Sequence, residues 1–138
     1  MIQRIQSVYL LLVAIACITY IFVPFGQIRN PDGTLESWAI KQVTPIMITT
    51  ILVAAIGFIS VFLFGNRKLQ MKLVVLNIVL SVVLIGLFVF GLTQHIGIKN
   101  YVFGIGAILP VFVLAFNCLA YGSIKHDEEL VRSMDRLR

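Results

Sequence analysis

The chain has 138 residues, of which 59% are hydrophobic and only 12% are charged, and its formal net charge is +5. An average soluble domain is about 45–50% apolar and about 25% charged, so this composition excludes an ordinary soluble domain and a disordered chain. Two cysteines are too few for a secreted scaffold held together by disulfides. The class that remains is an integral membrane protein.

Charged residues divide the chain into four uncharged runs of 24 to 26 residues each, at 5–28, 42–66, 73–98 and 100–124. About 20 helical residues cross a hydrocarbon core about 30 Å thick, so each run is long enough to cross once. The runs are continuously apolar, which favours helices over the alternating strands of a β-barrel. We therefore predict an all-α integral membrane protein, with a four-helix transmembrane bundle in residues 1–121. The spans are predicted at about 7–25, 44–64, 73–92 and 102–121.

The lysines and arginines in the flanks predict how this bundle is oriented. Eight of the eleven lie on the side that holds both termini, and three lie on the opposite side. Because cytoplasmic flanks carry the excess of positive charge, we expect both termini in the cytoplasm. The short turn at 65–68 contributes most to this predicted orientation, since it has two basic residues and no acidic one.

The outer loop, residues 26–43, contains the turn sequence Asn30–Gly33. Proline presets φ in such a turn, and glycine accepts a positive φ. The flanking segments alternate loosely, so the sequence predicts a short hairpin-like loop. Trp38 is interpreted as a membrane-interface residue, and a binding aromatic is the alternative.

The last residues, 122–138, are predicted to form a separate cytoplasmic amphipathic helix that begins near Tyr121. Acidic residues precede basic ones, which suits the helix dipole. A helix of this length is marginal alone, so docking to a partner is one interpretation and a solvated chain end is the other. The candidate docking residues, which include one from the N-terminus, are Arg4, Glu128, Glu129, Arg132, Asp135 and Arg136.

Within the predicted spans there is no Asp, Glu, Lys or Arg. Transporters and proton relays normally carry such residues in the membrane. The candidate intramembrane polar contacts are instead neutral: Asn77, Ser81 and Asn117 are predicted to bond across helices, and a polar cavity is the alternative. Pro110 is predicted to kink the fourth span, because it lacks a backbone donor.

No motif for nucleotide binding, hydrolysis or metal ligation occurs in the sequence. We therefore predict that the protein is not an enzyme, with no catalytic, cofactor-binding or metal-binding residues and no cofactor. The basic residues flank the membrane and form no stripe, so nucleic acid is not an expected partner. The expected partners are the lipid bilayer and a protein on the cytoplasmic face.

The two ends of the chain are its most distinctive parts, at Met1–Leu12 and Asp127–Arg138. Together with four predicted spans in a chain of this length, these ends resemble domain-of-unknown-function family 4293. The members of that family are small inner-membrane proteins of Bacteroidetes. The resemblance covers the whole chain and implies four transmembrane helices in a bacterial inner membrane. It implies no activity, substrate or catalytic residue.

These observations lead to two functional hypotheses. The first is a non-enzymatic accessory, scaffold or assembly subunit, which docks a partner through its cytoplasmic termini. The alternative is a small transporter or channel for a neutral or lipidic solute, built around Asn77, Asn117 and Pro110.

Overall fold

A computed structural model describes residues 3–96 and 100–135, with the side chains of 5–63, 65–94 and 100–134. Four helices are each long and apolar enough to cross a membrane, as the uncharged runs predict. They are α1 (Gln3–Phe22), α2 (Thr44–Phe62), α3 (Arg67–Gly91) and α4 (Leu109–Asp135).

The four helices form a bundle in which each helix packs against two neighbours. Helix α1 lies between α2 and α4, and α3 lies between the same two helices. Many side chains on the outer surface are large and apolar, and Val79, Val82 and Phe90 are each more than half exposed. Such helices are apolar both toward the core and away from it, which is typical of helices that face lipid.

A three-stranded sheet covers one end of the bundle, which we call the sheet end. Strand β1 (Gly26–Arg29) lies in the middle and pairs antiparallel with β2 (Leu35–Trp38) and with β3 (Tyr101–Phe103). The predicted hairpin is therefore present, and Gly33 in its turn has a φ of 79°. The opposite end, which we call the basic end, holds the start of α3 and the end of α4.

Helix α4 begins later than residue 102, where the fourth span is predicted to start. Residues Tyr101–Phe103 form β3, residues Ile105–Ile108 form a 3-10 turn, and α4 begins only at Leu109. Pro110 therefore occupies the first helical turn, where its missing N–H has no intrahelical partner to lose. The predicted kink assumed that an α-helix runs through Pro110, whereas the residues just before it form the 3-10 turn.

The prediction that a new helix begins near Tyr121 is wrong, because α4 continues for 27 residues to Asp135. Gly122 is the only helix-weakening residue at that point, and it does not adopt a positive φ. A single glycine in a helix costs about 1 kcal/mol relative to alanine. Helical hydrogen bonds and packing on both sides easily exceed that cost.

Candidate polar core and docking surface

Buried aromatic rings join the sheet to the bundle. Phe25, at the start of the sheet, is fully buried, and its ring centroid lies 5.1 Å from Trp38 and 5.4 Å from Phe88 on α3. Tyr20 stacks on the other side of Phe25 at 4.7 Å. Trp38 is only 4% exposed. Its prediction as a membrane-interface residue is wrong, because the sheet folds its ring into this cluster.

Tyr101 binds β3 to the segment between α1 and β1. Its hydroxyl donates to the carbonyl oxygen of Phe25 at 2.6 Å. Burial raises the pKa of the Tyr101 hydroxyl to about 12. The group therefore stays protonated, and keeps its hydrogen bond, throughout the physiological pH range.

The structure brings together the three predicted intramembrane polar residues between α3 and α4. Asn77 Nδ2 donates to Asn117 Oδ1 at 3.1 Å, and Asn117 Nδ2 donates to Ser81 Oγ at 3.1 Å. Ser81 in turn donates to the backbone carbonyl of Asn77 at 2.7 Å. All three side chains are fully buried. We call Asn77, Ser81 and Asn117 the polar triad.

The polar triad faces the middle of the bundle. A Cβ atom added to Gly57 of α2 would lie 3.5 Å from Asn77 Nδ2 and 3.3 Å from the Val13 side chain of α1. Because Gly57 has no side chain, α2 can pack closely against both α1 and α3 at this position. Asn77 Oδ1 is buried and has no hydrogen-bond partner within the described part of the chain.

Two further interhelical polar contacts were not predicted from the sequence. Gln6 Nε2 of α1 donates to Asp127 Oδ2 of α4, and it lies 3.2 Å from the carbonyl oxygen of Ser123. Gln70 Nε2 of α3 donates to the carbonyl oxygen of Ser60 of α2 at 3.0 Å. The contact between Gln6 and Asp127 could have been anticipated from one feature of the sequence, since each residue lies in one of the two distinctive ends of the chain. Both are more than nine-tenths buried, so this pair is part of the bundle.

Beyond Asp127 the apolar side chains of α4 become more exposed. Leu130 and Val131 are each 40% exposed, and Met134 is 65% exposed. By contrast, Ile124, one turn before Asp127, is fully buried against α1 and α3. We call Leu130, Val131 and Met134 the free apolar stripe.

The candidate docking residues lie around this same end of α4. Glu128 is partly buried, and Glu129 and Arg132 are exposed. The Oε1 atom of Glu129 lies 4.0 Å from the Nζ atom of Lys125. At 59% and 65% exposure, the Lys125–Glu129 pair contributes little to stability. Three further candidates lie outside the described side chains, and they are Arg4, Asp135 and Arg136.

The match to a known family covers nearly the whole chain. Residues 2–137 match the family described as a domain of unknown function, DUF4293. The chain belongs to this family. Searches of the curated proteins and of the solved structures each find no match.

The DUF4293 chain has a groove at its basic end, between α3 and α4. Its volume is about 400 Å³, and it continues into a second hollow of about 260 Å³ beside the tail of α4. We call the larger space the basic groove, and its lining residues are Lys68, Met71, Lys72, Val75, Tyr121 and Glu128. Neither space is lined by a residue of the polar triad.

No cluster of metal-binding side chains is found where the structure of this DUF4293 protein is described. Both cysteines are free, Cys17 in the core and Cys118 on the outer surface of α4. Their positions fit small packing residues, one inside the bundle and one on its outer surface.

Proposed function

We propose that this DUF4293 protein is a non-enzymatic accessory or assembly subunit of a bacterial inner membrane, with both termini in the cytoplasm. It docks a protein partner through the end of α4. The observation that carries this proposal is the free apolar stripe, which follows directly after the contact between Asp127 of α4 and Gln6 of α1. The family membership alone supplies no activity.

The physical argument rests on the change in surroundings along α4. At Asp127 the helix still contacts Gln6 of α1, and beyond it Leu130, Val131 and Met134 are 40%, 40% and 65% exposed. Fully burying a side chain such as leucine or methionine stabilises by about 1.5–3 kcal/mol. Because each of these three side chains is only partly exposed, a partner that covers the stripe gains a part of this free energy at each residue.

Charges around the stripe add selectivity. Glu128, Glu129 and Arg132 lie on the other side of the same two turns, so a partner that also reaches around the helix end meets both signs of charge. Charges at an interface rim mainly set association rate and partner choice. We expect neutralising them to make binding slower and less salt-dependent, while removing the stripe abolishes it.

The interior of the bundle supports a structural role. Asn77 and Asn117 are fully buried and bonded to each other. At the sheet end, the aromatic cluster fills the space between the helices. No observation on the described residues favours the alternative of a transport pathway through these groups.

A pull-down from native membranes in mild detergent tests the docking role. The wild-type chain is compared with the triple variant Leu130→Ser, Val131→Ser, Met134→Ser. We expect a protein that is recovered stoichiometrically with the wild type and lost with the variant. The stripe lies outside the packed bundle, so the variant is expected to unfold at the same detergent concentration as the wild type.

The matched control is the double variant His126→Ala, Ser133→Ala, which changes exposed residues on a different face of the same helix end. It is expected to retain the partner. Recovery of the protein alone from wild-type membranes, or equal recovery of a partner with the triple variant, would overturn the proposal.

A further inference from the structure

The basic groove combines cationic and apolar side chains in one continuous surface. Lys68 and Lys72 occupy successive turns at the start of α3, with Met71 between them, and Tyr121 forms the opposite wall on α4. Residues four apart on a helix lie about 6 Å from each other. The two ammonium groups can therefore approach a single anionic group from the same side.

Neither lysine forms an ion pair with another described side chain. Among the described side chains, the one ion pair is Lys125–Glu129, and neither Lys68 nor Lys72 has a carboxylate partner. Both are exposed. Their positive charge is therefore available to a ligand from outside the chain.

The apolar part of the groove continues along α3 toward the sheet end. Val75 is 44% exposed, and Val79 and Val82 follow on the same helical face at 54% and 55% exposed. This stripe begins one turn after Lys72, where the charged part of α3 ends. A ligand that fits both parts has an anionic head and a long apolar chain.

We infer that the basic groove binds an anionic phospholipid, with its phosphate at Lys68 and Lys72 and an acyl chain along Val75, Val79 and Val82. Basic pockets between membrane helices recognise anionic headgroups through this combination of charges. The inference goes beyond the docking role, because none of these residues belongs to the free apolar stripe.

Glu128 makes the inference more specific, since it lines the same groove as the lysines. A carboxylate there repels a phosphate and lowers affinity for it. Replacing Glu128 with glutamine is therefore expected to strengthen binding of an anionic lipid. A gain in affinity cannot arise from misfolding, so this variant keeps the test decisive.

Native mass spectrometry of the full-length protein in detergent tests the inference. The protein is titrated with phosphatidylglycerol and with phosphatidylcholine of the same acyl chains. We expect phosphatidylglycerol to bind more tightly, and each change Lys68→Gln or Lys72→Gln to weaken it about 5-fold. Glu128→Gln is expected to change it in the opposite direction.

The matched control is Arg29→Gln with Lys41→Gln, which removes two exposed positive charges at the sheet end. It is expected to leave the preference for phosphatidylglycerol unchanged. Equal affinity of the wild type for both lipids, or an equal loss in the control, would overturn the inference. Displacement of phosphatidylglycerol by millimolar inorganic phosphate would also overturn it, because the site would then be one for a free anion.

Discussion

Asn117 is the central residue of the polar triad, because its amide both accepts from Asn77 and donates to Ser81. Interhelical hydrogen bonds in membrane proteins contribute about 0.6 kcal/mol on average and up to about 1.7 kcal/mol. The residue that makes two of them should therefore matter more than either residue that makes one.

Asn117→Ala is accordingly expected to lower the free energy of unfolding by about 1–3 kcal/mol, since it leaves a buried donor without its partner. Ser81→Ala should cost less. Unfolding of the purified protein in mixed detergent micelles, followed by circular dichroism, measures both. Thr50→Val is the control, because the Thr50 hydroxyl bonds only to the Ile46 carbonyl of its own helix. An equal loss in Thr50→Val and Asn117→Ala would contradict the role of the triad.

At the scale of elements, the sheet end depends on a close backbone approach. A Cβ atom added to Gly106 would lie 2.4 Å from the carbonyl oxygen of Pro24, which is a backbone atom that cannot move aside freely. Gly106 thus lets the chain between β3 and α4 lie directly against the segment that follows α1.

We expect Gly106→Ala to loosen the sheet and to destabilise the protein by about 1–3 kcal/mol, the range for overpacking. Trp38, the single tryptophan, reports this change, because loss of its buried ring contacts shifts its emission to longer wavelength. Gly86→Ala is the control, since an added Cβ there meets nothing within 4 Å. An unshifted spectrum for Gly106→Ala would show that the close approach is not required.

The sequence predicted some elements well and others poorly, for physical reasons. The length of each uncharged run and the helical rise per residue determine how many helices are long enough to cross a membrane. The turn sequence at Asn30–Gly33 determines where the hairpin forms. The strand at Tyr101–Phe103 was missed because hydropathy is the same for an apolar strand and for the start of an apolar helix. Pro110 just after it was the available signal, since proline is favoured in the first turn of a helix.

The site was predictable in the same uneven way. Asn77, Ser81 and Asn117 stand out because polar side chains are costly in a membrane without partners. The contact between Gln6 and Asp127 joins residues at opposite ends of the chain, and only the packing of α1 on α4 brings them together. The end of α4 was predicted as amphipathic, but the sequence alone does not show that its apolar side chains become more exposed after Asp127.

At the scale of the whole molecule, α4 passes through two environments. Leu119 in its middle is 50% exposed on the outer surface of the bundle, where we place lipid, and Met134 near its C-terminal end is 65% exposed. The proposed function requires that these two positions on one helix have different neighbours. Lipid should surround the first, and a protein should cover the second.

Site-specific photo-crosslinking in living cells tests this claim most directly. A photoreactive amino acid is placed at Met134 in one variant and at Leu119 in the other, and the products are separated by mass. We predict a discrete protein adduct from position 134, and adducts with lipid alone from position 119. Lipid adducts alone at position 134, or the same protein adduct at both positions, would contradict the proposal that the end of α4 is a docking surface.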